Sequence, residues 1–170
     1  MDQLMLRYEG KNFYEIPDGE ITRMEGFKTL SENATPEEYS RKYVDRKSQT
    51  NDVVGYTTVL DFELDRFVGN AVHDDIVDLH EKKVVGVAAR RNIYYVDFTQ
   101  PSGDGYKAFK VPCSVVMSNK GNTAEAMTYS GSFKEAGETV FGIAKIATPA
   151  NGNCDTVQTI TFEESAESDI

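Results

Sequence analysis

A chain of 170 residues with 39% apolar and 27% charged side chains can build the core of one ordinary globular domain, with little room for a second. Its net charge of −10 and mean hydropathy of −0.47 argue against a basic nucleic-acid-gripping module and against an anionic membrane surface. No apolar run approaches the roughly 20 residues of a membrane span. Residues 1–7 lack a secretory signal pattern, and two cysteines make no disulfide framework, so free thiols in a reducing cytoplasm are expected.

In the first third of the chain, residues 13–16 and 21–30 read as strands around a Pro17-Asp18-Gly19 turn. Thr35-Pro36-Glu37-Glu38 has the form of a capping box with Pro at the first helical position. Residues 36–47 fit a short helix or an extended segment, and the pattern alone leaves both open.

Residues 58–67 are the clearest strand. Leu60, Phe62 and Leu64 alternate with Asp61, Glu63 and Asp65, so one face meets a core and the other presents three carboxylates. Residues 51–82 hold eight acidic and two basic side chains in all. The spacing of Val72, Ile76 and Leu79 then predicts a helix over about 70–82, with Asn70 as its N-cap and Asp74, Asp78 and Glu81 on its solvent side.

Beyond it the chain reads as strands at 84–90, 93–98 and 106–117, with turns at 101–105 and 119–122. Residues 127–136 are expected to pair with 139–148 across Gly137-Glu138 as a tight hairpin. A loop over 149–155 containing Cys154, a last strand over 156–162 and a disordered acidic tail over 163–170 complete the chain. The fold class is therefore mainly β (α+β), with a single domain over 1–162.

Three places hold the residue types that chemistry would need. His73 and His80 fall on the apolar arc of the helix while its carboxylates point away, so they do not converge on a metal ion. Asp61, Glu63 and Asp65 would stand roughly 6–7 Å apart on an open face, with no apolar pocket to split their pKa values into acid and base. Cys113 sits in an apolar strand, the setting of a buried thiol rather than an activated one. No catalytic residue, metal ligand or cofactor site is expected, and an enzyme built on the histidines is the weakest reading.

The order of several stretches carries a resemblance. These are Tyr39-Ser40-Arg41-Lys42-Tyr43-Val44-Asp45-Arg46-Lys47, Asp52-Val53-Val54-Gly55-Tyr56, the 60–67 strand, and Gly69-Asn70-Ala71-Val72. Later come Tyr95-Val96-Asp97-Phe98, Tyr129-Ser130-Gly131-Ser132-Phe133-Lys134 and Gly137-Glu138-Thr139-Val140-Phe141-Gly142. Over residues 8–148 the chain resembles the major tail (tail tube) proteins of long-tailed bacteriophages and prophages.

The resemblance implies a β-sandwich or partly closed barrel flanked by one helix. Its subunits would assemble into stacked, typically hexameric rings around a channel that passes DNA without binding it. The implied partners are further copies of the chain and other tail proteins: tape measure, tail tip or baseplate, and terminator. No membrane is involved, and the implied location is the virion tail, assembled in the bacterial cytoplasm. Asp61, Glu63 and Asp65 become candidates for lining the channel. A long N-terminal loop over about 31–56 would reach a neighbouring ring through Tyr39, Arg41, Tyr43 and Arg46, aromatic and Arg side chains of the kind enriched at interfaces. The alternatives are a decoration or baseplate component, or the tube subunit of a phage-like bacteriocin or injection system.

Overall fold

In the computed structural model, residues 2–122, 125–148 and 157–165 are described. They form nine strands and one α-helix: β1 (Gly10–Glu15), β2 (Ile21–Arg23), β3 (Phe27–Arg41), β4 (Thr50–Asp65), α1 (Ala71–Glu81), β5 (Arg90–Ser102), β6 (Gly105–Asn122), β7 (Met127–Glu135), β8 (Val140–Thr148) and β9 (Thr159–Glu164). All strand pairs are antiparallel, in the order β3-β4-β7-β6-β5-β1-β2-β9-β8. A further pairing of β6 with β8 closes β6, β5, β1, β2, β9 and β8 into a barrel. The remaining strands, β7, β4 and β3, continue outward from β6 as an open flank.

The expected mainly-β, partly closed barrel with one flanking helix is therefore the observed architecture. Two cores follow from the period-2 alternation of its strands. On β1, Phe13 points into the barrel with Tyr94, Val96, Ala108, Ala144, Val157 and Ile160. The next residue, Tyr14, points the other way and joins Phe62, Leu64, Phe133, Val72, Ile76 and Leu79 beneath the helix. The Phe62 and Phe133 rings stack at 4.5 Å between centroids. Gly131, cross-strand from Phe62, leaves room for that ring and for the β6 backbone, since a Cβ there would stand 3.1 Å from Phe62 Cζ and 2.3 Å from the Val116 carbonyl oxygen.

The helix is held at its start by Asn70, whose side chain accepts from the Val72 and His73 backbone N–H groups at 3.1 and 3.3 Å. On its underside the Tyr14 hydroxyl donates to Asp75, and Arg91 forks onto the same carboxylate at 2.8 and 3.1 Å. Burial and the Asp75 charge together raise the Tyr14 pKa, so the phenol stays a donor.

Several sequence expectations give way to long-range pairing. Residues 36–47 are not helical: β3 runs extended through Arg41, because its whole length pairs with β4. The long loop expected over 31–56 is accordingly a β-hairpin, with a short connection only over 42–49. Residues 84–90 are not a strand, for Gly86 takes φ +71° and opens a 3-10 turn over Gly86–Ala89. The turn expected at 119–122 lies inside β6.

The tight hairpin across Gly137-Glu138 is also corrected. Both β7 and β8 lie antiparallel along the same edge of β6, β7 facing residues 113–122 and β8 facing 106–110. They are two segments of one line, broken where residues 136–139 bulge opposite Val111 and Pro112. Pro112 has no N–H to continue the ladder there, although its carbonyl still accepts from Ala136 at 2.8 Å. The last strand starts at Thr159 and takes in Glu163 and Glu164. Cys154 and the rest of the acidic tail (166–170) lie outside the described residues.

Candidate assembly surfaces

β4 is held by β7 only over residues 59–65, yet it pairs with β3 all the way to Thr50. The outer part, residues 34–58, therefore leaves the sheet as a two-stranded arm about 30 Å long at roughly 3.3 Å per residue. Almost every side chain in it is exposed, Tyr39, Tyr43, Val53, Val54 and Tyr56 among them, and Val44 at its tip is fully so. An isolated two-stranded ribbon is marginal in water.

At the tip the four sequence candidates come together. The Arg41 guanidinium lies 5.4 Å over the Tyr39 ring and 5.6 Å over the Tyr43 ring, and Arg46 lies 5.8 Å over Tyr43. Arg41 also donates to the Tyr43 hydroxyl at 2.7 Å and pairs with Asp52 at 2.5 Å. These contacts hold the exposed side chains of the tip against one another.

The three carboxylate candidates stand on the flank's outer face, opposite the helix. Asp61 accepts from Ser132 at 2.7 Å and from Asn33 at 2.9 Å. Glu63 and Asp65 share Lys28 at 3.5 and 2.9 Å. Cross-strand neighbours on this face are polar as well: Ser130, Ser132, Thr128 and Lys134. The face is thus wetter and less starkly acidic than the alternation alone suggests, since Lys28 arrives from β3 through a bulge.

A feature that composition could not reveal is a pair of open sheet edges. Pairing of β5 with β6 stops at Ser114, so, among the described residues, 115–122 of β6 have a free side, beside a notch of about 570 Å³ lined by Val84, Val85, Ala89 and Val116. Among the described residues, β3 has a free side along its whole length. Among the described residues these two edges bound one four-stranded sheet, β3-β4-β7-β6. Legibility fails here because an edge is defined by which strand is missing.

Among the described residues, no three His, Cys, Asp or Glu side chains converge as a metal site. His73 is wholly buried. Its Nδ1 accepts from the Phe67 N–H at 3.1 Å, its Nε2 donates to the Glu25 carbonyl at 2.6 Å, and the Phe27 and Phe67 rings flank it. Burial lowers its pKa and favours the neutral ring. The Cys113 thiol is buried and pushed up to about 12 by burial and by Glu135, which makes it inert.

No family model and no curated protein sequence matches the chain. Solved structures do. The SPP1 tail tube, determined by solid-state NMR and cryo-EM, superposes with a TM-score of 0.64 at 13% identity, covering 81% of this chain and 78% of that one. A chain of the anti-feeding prophage baseplate, in a 6-fold symmetrised cryo-EM structure, superposes at 0.54 with 7% identity, covering 82% and 97%. At these identities the likeness lies in the fold. The chain has the fold of a phage tail tube protein.

Proposed function

We propose that this chain is a tail tube subunit that assembles head-to-tail into rings, and that the rings stack into a hollow tube conducting DNA. The single observation that carries this is the pair of free edges on one four-stranded sheet. Across that sheet strand direction alternates, so β3 and β6 run in opposite senses. Rotation about an axis along the strands preserves each sense, and β6 of one copy then meets β3 of the next as an antiparallel pair. Such a heterologous contact closes into a ring when the rotation divides a full turn. Six copies is the number we adopt, supported by the 6-fold symmetry of the similar baseplate structure.

The helix occupies one face of the sheet, so the face that can turn inward is the one bearing Asp61, Glu63 and Asp65. Carboxylates there would repel the phosphates of passing DNA and keep it from sticking. The chain would then act as no enzyme, work in the virion tail with tape measure, terminator and tip proteins as neighbours, and assemble in the host cytoplasm. The likeness to a baseplate chain favours a second reading, a baseplate ring or the tube of a phage-like particle, distinguished by whether rings stack without limit.

Reversing the charge of Asp61, Glu63 and Asp65 together tests the channel role. Tubes are expected to form, with infectivity lost as DNA is retained. Unchanged assembly together with unchanged infectivity contradicts the assignment.

A further inference from the structure

From the polarity of the sheet we infer the surface that receives the arm. It is the far end of the same sheet on a second copy, formed by the β4–α1 turn at Phe67 and Val68 with Met127 beside it. The inference rests on the ring reading. If the lateral edges are consumed within a ring, the strand ends face the rings above and below. The arm leaves one end of the sheet, beyond the Val59–Lys134 pair; Asp65 and Thr128 mark the other. Copies stacked with the same polarity therefore bring the arm of one against the far end of the next.

That end is prepared for an apolar visitor. Val68 is 90% exposed and Phe67 57%, and Met127, joined to the turn by the Arg66 N–H to Met127 carbonyl bond at 2.9 Å, is 41% exposed. The turn is rigid rather than loose. Asn70 caps the following helix, His73 takes the Phe67 N–H, and Arg66 pairs with Asp74 at 2.7 Å. An exposed apolar cluster on a pinned turn is what a partner surface requires.

Charge agrees in sign. Residues 41–47 at the arm tip hold four basic side chains and one acidic. The far end carries Asp65, Asp74 and Glu125 against Lys28 and Arg66. Val44 and Tyr43 are then the apolar contacts, with the basic side chains around them as a rim.

The test uses the full chain. Val68→Asp and Val44→Asp alter exposed side chains and should leave the fold intact. Each is expected to give rings of wild-type diameter that no longer stack, by electron microscopy and sedimentation. As a positive readout, a Val44→Cys chain is mixed with a Val68→Cys chain, both carrying Cys154→Ser, and oxidised with copper phenanthroline. A crosslink joining the two different chains is expected in stacked material and not in single rings. Stacking of Val68→Asp as efficient as wild type, or stacked wild-type-like material without that crosslink, overturns the inference while leaving the rings in place. A wild-type chain that forms no ring at any concentration and does not add to isolated tail tips overturns the ring reading beneath it.

Discussion

The body under the helix and the arm beyond the sheet are made of the same secondary structure and behave as opposites. In the body, Tyr14, Leu64, Val72 and Ile76 have no exposed surface and Phe133 has 1%. Along the arm, Tyr56 is 64% exposed and Val44 entirely so. Strands pair in both, although each arm strand has only one partner and a free outer edge. The difference is side-chain burial, which dominates folding free energy. The body therefore sets stability, the arm on the proposed reading serves association, and mutations should sort cleanly between them.

The largest effect belongs in the body. Phe133→Ala removes the ring stacked on Phe62 and should destabilise the chain by about 3–5 kcal/mol, read by denaturant unfolding of the monomer. Next is the polar tie between helix and barrel. Asp75→Ala strands the Tyr14 hydroxyl and the Arg91 guanidinium, with an expected loss of about 3 kcal/mol. An Asp75→Ala, Tyr14→Phe double variant should lose less than the sum of the two single changes, because they share one network.

A smaller, pH-dependent effect comes from His73. Its folded pKa lies below the ordinary value near 6.5. The unfolded chain therefore binds a proton that the folded chain resists. Stability should fall as pH drops below about 6.5 and be insensitive to this group above it. Subtracting the profile of His73→Gln from that of wild type, between pH 7.5 and 5, isolates the contribution; superimposable profiles would break the argument. The smallest effect on folding is expected in the arm: Arg41→Ala with Tyr43→Ser should change monomer stability by less than about 0.5 kcal/mol. The same pair should abolish stacking.

The same contrast explains what could be read in advance. The 60–65 alternation and the helix at Ala71–Glu81 were legible because each has one buried and one wet face, and a face difference is what periodicity records. The arm has two exposed faces in the single chain, so it left no period; its only local signature is residue type, Tyr39, Arg41, Tyr43 and Arg46 being of the kind enriched at interfaces. The β7–β8 relation was hidden for another reason. Gly137-Glu138 looks locally like a hairpin turn, but the partner of both strands is β6, and a proline on β6 sets the break. The free edges that carry the functional proposal depend on the whole topology and have no local signature.

The central claim, that two open edges of one sheet join copy to copy into a ring, is tested most directly by electron microscopy of the purified chain at high concentration, with light scattering alongside. Rings or hollow tubes of uniform width are expected. They should be lost when the β3 edge is blocked by Leu30→Pro, checked as folded by circular dichroism. A chain that stays monomeric at every concentration and fails to add to isolated tail tips would contradict it.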